Sequence, residues 1–472
     1  MQLPTALFLA VGLLGAAAQT QYDEELTVNT TSGRYTGFVD TATPGGGAPD
    51  VNQWRGIRYG QAPDDGLHRY ARDYPTVCVQ QGGNYTGLWW ELVPEFQQQD
   101  PQGEDCLFLN VWAPRKPVAE RVPVVIWVCG GGFQEGGGMR RISYRLNVFG
   151  FPGANGAMTN AGFLDARLVV EWAKNNIEAF GGDPERMILW GQSAGAGLTT
   201  SYVYANGEDP IIAGAIANSG TVGVGPSSDD DGSSVNKFSQ LAEIVGCGGG
   251  LDAEAELACM QEVPAQTLQA ILQSGREEVP RFGVVVDNTT VFANYTERLE
   301  KGLVAKVPLI TGTTSNEAAA LGGGFDKNAT TPPPKSPEDP VGGFDCSLRE
   351  ELKDRLDYGH TTYRYLFAGN FSNITPRYWL GAMHSSDLPL IFGTHYQFRG
   401  NSTELEWQTS YAMEDMWVAF ATDPSKDPST SSGLVWPKYS LDGETVVLFG
   451  NGTEAAQLAP PSVADISDCS GE

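Results

Sequence analysis

The chain has 472 residues, with 30 Lys and Arg against 57 Asp and Glu, a formal charge of −27 and a pI near 4.5. So acidic a chain is repelled by nucleic acid and by anionic membrane surfaces, which excludes both as expected partners. With 41% hydrophobic residues and 11 Trp spread along its length, it is not a disordered polymer, and the length easily buries a core.

Residues 3–18 form an apolar stretch ending in Ala16, Ala17 and Ala18. This pattern predicts a secretory signal peptide over residues 1–18, too short for a membrane span, with the mature chain starting at Gln19. The stretch carries no Lys or Arg, so only the α-amino group supplies positive charge there. Nine Asn-x-Ser/Thr sequons, at Asn29, Asn84, Asn288, Asn294, Asn328, Asn370, Asn373, Asn401 and Asn451, agree with export. No hydrophobic tail closes the sequence, so neither a lipid anchor nor a transmembrane anchor is expected. The expectation is a secreted, extracellular glycoprotein with one catalytic domain over residues 19–472. The seven cysteines fit an oxidising compartment. Cys78 with Cys106 and Cys247 with Cys259 are candidate pairs, Cys346 with Cys469 would tether the C-terminus, and Cys129 is left over.

In chain order, residues 35–59 read as Gly-rich strands and turns. A polar, Gln-rich loop occupies residues 80–103, where Trp89 and Trp90 read as packing residues. Strands are predicted over residues 106–112 and 122–128, the second an unbroken apolar run of the kind buried on both faces. Residues 161–179 have helical spacing, with Leu164, Leu168 and Trp172 recurring every fourth position before a Gly-Gly stop. A short apolar strand over residues 187–190 leads into a small-residue helix. Further strands are expected over residues 214–217, 307–311 and 361–367, and helices over 254–262, 347–356 and 410–421. Residues 322–343, with Pro332, Pro333 and Pro334, read as a flexible surface loop. Internal repeats are absent, and alternating strands and helices predict an α/β fold with a mostly parallel sheet covered on both faces.

The stretch over residues 186–197 carries the chemistry. The strand ends in Gly191-Gln192-Ser193-Ala194-Gly195 and a helix follows, the order a nucleophile elbow requires. With 58 Gly in the chain the motif alone arises easily by chance, so its context must support it. Gly130, Gly131, Gly132 and Phe133 follow directly on the strand at residues 122–128. Successive glycine amides there can converge on one anion, as an oxyanion hole needs. An acid and a histidine should come later in the chain. Glu317 lies just past the strand at residues 307–311, in a small polar turn. Of the four histidines, His68 precedes the serine and His360 sits in a helix–strand connection. His384 lies in a loop after the last expected strand, where catalytic side chains are displayed, and is preferred to His395.

These residues resemble the type B carboxylesterase family, which includes cholinesterases and fungal lipases. Residues 104–112, Glu-Asp-Cys-Leu-Phe-Leu-Asn-Val-Trp, resemble that family's second signature, and residues 180–195 its active-site signature. The similarity runs from about Gly33 to Phe392. It implies an α/β-hydrolase fold, Ser193 as nucleophile, Glu317 as acid and His384 as base. It further implies Gly131, Gly132 and Ala194 as oxyanion donors, bridges Cys78–Cys106 and Cys247–Cys259, and a gorge-rim loop at residues 80–103. Neither a metal nor a cofactor is expected, and the partner is a small-molecule or lipid ester.

Three departures stand out. Cys129 replaces a His, Tyr or Phe, and Asn316 replaces a commonly acidic neighbour of Glu317. Only nine residues, 134–142, separate Phe133 from Ser143, too few for a crossover and the strand that should follow. A truncated central crossover is therefore expected beside the glycine run. The leading reading is a secreted serine ester hydrolase working through an acyl-enzyme. The alternatives are a catalytically impaired isoform or binding module on the same fold, and a lipase activated at interfaces.

Overall fold

The structure, a computed structural model, describes residues 24–39, 51–60, 68–80, 92, 101–136, 142–222, 233–248, 250–319, 321, 341–397, 400–467 and 469. The signal peptide, Asn84, Asn328, Trp89, Trp90, most of the loop at 80–103 and residues 322–340 lie outside them.

Two strands near the N-terminus matter to the site, β1 (Val51–Arg58) and β2 (Phe108–Pro114). They pair antiparallel in a small three-stranded sheet in which β2 is an edge. The main sheet has seven strands: β3 (Val122–Val128), β4 (Gly182–Gln192), β5 (Gly214–Asn218), β6 (Leu309–Thr314), β7 (Thr362–Phe367), β8 (Val446–Asn451) and β9 (Glu454–Ala459). Their spatial order follows the chain; β3 to β8 are parallel, and β9 closes the far edge antiparallel to β8.

Successive strand residues face opposite sides, and the two cores follow from that alternation. Met187 and Leu189 of β4, with Ala215 and Ala217 of β5, join one core with helices α1 (Ala161–Asn176) and α2 (Ala194–Ala205). Ile188 and Trp190 of β4, with Ile216 of β5 and Ile310 of β6, join the other. Helices α3 (Ser233–Val245), α4 (Ala253–Glu262) and α5 (Ala265–Leu272) share a smaller core of their own, while α6 (Val341–Asp357) packs Leu348 and Leu352 on Leu366 of β7 and Leu448 of β8. The last long helix, α7 (Glu404–Thr422), lays Met413, Met416, Trp417 and Phe420 on the second core. Ile188, Leu189 and Ile310 are fully buried, each contributing about 1.5–3 kcal/mol by leaving water.

Three bridges join Cys78–Cys106, Cys247–Cys259 and Cys346–Cys469, and Cys129 stays a buried thiol. The last bridge spans 123 residues and ties the C-terminal segment to α6. Beside it the buried Arg364 guanidinium binds Asp345, Asp465 and the Ala464 carbonyl. Among the described residues no helix is long and apolar enough to cross a membrane.

Several expectations need correction. The helix at residues 161–179 buries Phe163, Val169, Val170 and Trp172, whereas Leu164, read as part of its apolar stripe, is 38% exposed. The loop expected to reach residue 343 gives way to α6 at Val341. The run at residues 122–128, read as a strand buried on both faces, is instead the outer strand of the sheet, and Val125 is 43% exposed. Among the described residues no strand forms between Val128 and Gly182; the stretch carries a short helix at Asn147–Gly150, then α1 and a 3₁₀ turn at Ile177–Phe180, while residues 137–141 of the expected truncated crossover lie outside the described residues. A cleft of about 360 Å³ lies between β2 and β3.

The turn from β4 into α2 is the tightest point of the fold. A Cβ on Gly191 would lie 2.0 Å from the Gly195 carbonyl oxygen, and one on Gly195 would lie 2.3 Å from that of Val128. Gly195→Ala is expected to lower unfolding free energy by about 3 kcal/mol or more in urea titrations. An alanine variant as stable as the parent would contradict this close approach.

Candidate active site

The β4–α2 turn holds Ser193 at φ 57° and ψ −126°, a region that non-glycine residues rarely adopt. Two backbone bonds hold it there: the Ser193 amide donates to the Asn218 carbonyl at 2.9 Å, and the Gly197 amide to the Ser193 carbonyl at 3.0 Å. Ser193 thus precedes the first turn of α2, with Ala194 as its first residue. The amides of that turn have no partner within the helix and carry the positive end of its dipole.

The glycine run lies against this turn. A Cβ on Gly130 would stand 2.5 Å from the Gln192 carbonyl oxygen and 2.7 Å from the Ser193 Cβ. Gly131 and Gly132 follow at φ 119° and 61°, conformations that favour glycine. The turn is closed by the Gln134 and Glu135 amides, both donating to the Gly131 carbonyl at 3.1 Å. Burial pushes the Glu135 carboxyl up to about 7, partly opposed by Arg281, which limits negative charge beside the glycines.

Glu317 begins a 3₁₀ turn just past β6 and is fully buried. Its Oε1 accepts from the Thr314 amide at 2.7 Å, and its Oε2 meets His384 Nδ1 at 2.5 Å. On the other side of the imidazole, Gln192 Nε2 lies 3.0 Å from His384 Nε2 and 2.9 Å from Ser385 Oγ. An amide nitrogen only donates, so His384 Nε2 accepts and Nδ1 carries the proton toward Glu317. That is the tautomer a general base needs. The Phe344 ring packs on the imidazole with centroids 5.1 Å apart. The structure thus brings Glu317, His384, the Ser193 turn and the glycine run to one end of the parallel strands.

The other histidines lie elsewhere. His395 is buried, with Nδ1 2.6 Å from Ser402 Oγ and 3.5 Å from Glu406. His360, before β7, is pushed down to about 4 by burial and by the charges of Arg355 and Lys306. His68 belongs to a short strand paired with residues 34–36.

Sequence reasoning missed Gln192, Asn218, Tyr365 and Asp387. Asn218, the last residue of β5, accepts from Trp190 Nε1 at 2.7 Å and donates to Tyr365 at 2.7 Å and Asp387 at 3.1 Å. Tyr365 also donates to Asp387 at 3.0 Å. Burial raises the Asp387 carboxyl, the Glu317 charge adds to that, and the Asn218 and Tyr365 bonds oppose it. The signal available for Asp387 was its position three residues after His384. Asn316, read as a minor departure, binds the His384 loop: its amide donates to Ala382 at 2.9 Å and its side chain to Leu380 at 2.9 Å. Among the described residues no group of three or more His, Cys, Asp or Glu forms a candidate metal site.

A family model for the carboxylesterase family matches residues 24–335 and 343–462. The chain is 38% identical over 485 residues to the chlorogenic acid esterase of Aspergillus niger, covering 92% of each chain. It is 34% identical over 516 residues to secreted lipase 5 of Gibberella zeae, covering 94% of each. Acetylcholinesterase of Bungarus fasciatus is 25% identical over 517 residues, covering 92% of this chain and 84% of that one. The fold is therefore that of an α/β hydrolase, and the chain belongs to the carboxylesterase family.

Proposed function

We propose that this chain is a secreted serine ester hydrolase that works through an acyl-enzyme with Ser193, His384 and Glu317 as its triad. The observation that carries the reading is the His384 imidazole held between Glu317 on Nδ1 and the Gln192 amide on Nε2, in the turn that presents Ser193. His384 would take the Ser193 proton as Oγ attacks the ester carbonyl, and return it to the leaving alcohol. Water would then cleave the acyl-enzyme by the same base. Glu317 would orient the imidazole and stabilise its charged form. The amides of Gly131, Gly132 and Ala194 would receive the oxyanion, a contribution of about 3–4 kcal/mol per donor in comparable sites.

The substrate class is a small-molecule or lipid carboxylic ester. One similar protein is named for chlorogenic acid and another as a lipase, and ester hydrolysis is the chemistry common to both names. Secretion is supported by the similar secreted lipase, the three bridges and the apolar leader. Asn29, Asn288, Asn294, Asn370, Asn401 and Asn451 are exposed, as glycan acceptors must be. Asn373 differs: its Nδ2 donates to Glu406 at 2.8 Å, with Ser402 and the His395 carbonyl at 3.3 and 3.4 Å.

One rival has its own observation. The cleft beside β3, whose end carries the glycine run, fits a chain that folds and is secreted but turns nothing over. A lipase reading differs in kinetics, through a rate jump above the substrate's solubility limit.

Three outcomes are expected. Ser193→Ala should lower kcat/KM on a short p-nitrophenyl ester about a thousandfold or more while keeping the melting temperature. Equal turnover by the variant, or none by the parent, would reject the triad. Gln192→Glu places a carboxylate beside His384 Nε2, which favours the imidazolium. Because turnover needs the neutral ring, the acid limb of the kcat/KM profile should move to higher pH by about one unit or more. A shift to lower pH would contradict the contact. Glycopeptide mapping should find Asn373 unoccupied, and a glycan there would show that its side chain is not committed inward.

A further inference from the structure

The two nitrogens of His384 are committed to different partners. Nδ1 meets Glu317, and Nε2 lies 3.0 Å from the Gln192 amide nitrogen. The Gln192 contact suits the neutral ring alone. Once Nε2 takes a proton, that nitrogen and the Gln192 amide are both donors, and the contact turns from attractive to repulsive. His384 is only 2% exposed and Glu317 is fully buried, so water compensates little for a charge formed there. The charged ring therefore needs a neighbour whose attraction grows as the proton arrives.

Phe344, in the first turn of α6, is placed to be that neighbour. Its ring centroid lies 5.1 Å from that of the imidazole, with the two planes 41° apart. A cation within about 6 Å of an aromatic centroid is attracted by the ring's quadrupole, and more strongly where water is excluded. The residues after Phe344 are firmly anchored. Asp345 binds the buried Arg364 guanidinium of β7 at 3.3 Å and accepts from the Ser467 amide at 2.9 Å. Cys346 is bridged to Cys469, and Arg349 donates to the Ser467 carbonyl at 3.1 Å. Arg364 in turn holds Asp465 at 2.9 Å and the Ala464 carbonyl at 2.7 Å. The start of α6 is thus clamped between β7 and the C-terminal segment, and this clamp sets where Phe344 stands.

We propose that Phe344 is a positioning residue for the catalytic base: its ring holds His384 toward Glu317 and favours the imidazolium that arises as Ser193 attacks. The inference rests on the proposed triad and adds to it a residue from α6. In the attack the Ser193 hydroxyl proton passes to His384 Nε2 and Oγ bonds to the ester carbonyl carbon. The Glu317 carboxylate and the Phe344 ring then face the cation until the proton leaves with the alcohol. Gln192 favours the neutral ring and Phe344 the charged one, so the two side chains bias one equilibrium in opposite directions. The C-terminal segment acts on the base at one remove, through the anchors at Asp345 and Cys346.

The test places pentafluorophenylalanine at residue 344 of the intact chain, which keeps the ring's shape and reverses its quadrupole. On p-nitrophenyl acetate the acid limb of the kcat/KM profile should fall by about 0.4–1.5 pH units, because the imidazolium loses support. In the same variant kcat should fall by about two- to thirtyfold with KM close to the parent's. Phe344→Leu keeps apolar bulk without a ring face and should move both quantities the same way, while Phe344→Tyr should bring them back toward the parent. An acid limb that stays in place in the fluorinated and Leu variants would overturn the inference. So would a raised KM with kcat unchanged, since Phe344 would then contact substrate instead. If the parent turns nothing over, the triad reading fails by itself. The inference is then decided by the imidazole signal of His384 in chain labelled with 15N-histidine and assigned with His384→Asn. That signal should titrate at lower pH in both variants, and titration at the parent's pH would reject the proposed role.

Discussion

The backbone at Ser193 is the constraint on which the rest of the site depends. A non-glycine residue at φ 57° costs on the order of 1–3 kcal/mol, and it persists only where surrounding structure over-determines it. Here the surroundings are β3, β5 and α2. The Ser193 amide is committed to Asn218 at the end of β5, and Gly195 presses on the end of β3. Gly130, just past β3, is pinned in turn against Gln192 and Ser193. One strained turn therefore sets the positions of the serine, the helix amides and the glycine run together.

A second set of contacts decides the electrostatics. Glu317 and Asp387 are both fully buried near His384, and the two carboxyls are treated differently. Glu317 is bound by a backbone amide and by the imidazole. Asp387 is bound by Asn218 and Tyr365, and its pKa is raised first by burial and then by the Glu317 charge. Glu317 is the carboxyl hydrogen-bonded to the imidazole. Asn218 spans both halves, since its carbonyl holds the Ser193 turn and its side chain holds Asp387.

Much of this was legible in the sequence, and the physics of the exceptions is specific. The strands at residues 122–128, 187–190, 214–217 and 361–367 declared themselves as compact apolar or small-residue runs between turn signals. Helix α7 was read as starting at residue 410, but it begins at Glu404. A capping box between Thr403 and Glu406 starts it in a polar segment that hydrophobic spacing cannot register. Leu164 was misread because every-fourth spacing fits more than one face of a helix, and packing against the sheet chose the Phe163 and Val170 face. Gln192, Asn218, Tyr365 and Asp387 were missed because their roles depend on contacts between strands far apart in sequence. The identity of β3 as an edge was hidden for the opposite reason: its composition suits an interior strand, yet among the described residues only β4 pairs with it.

The account joins the proposed triad and glycine run to a sheet whose outer strand among the described residues, β3, borders a cleft. Whether the groups work in that setting is decided most directly by covalent trapping. The secreted chain would be treated with a fluorophosphonate and digested, and the adduct located by tandem mass spectrometry. The account predicts one adduct, on Ser193, formed at a rate that falls as His384 is protonated. An unlabelled but folded chain, or an adduct on another serine, would contradict it.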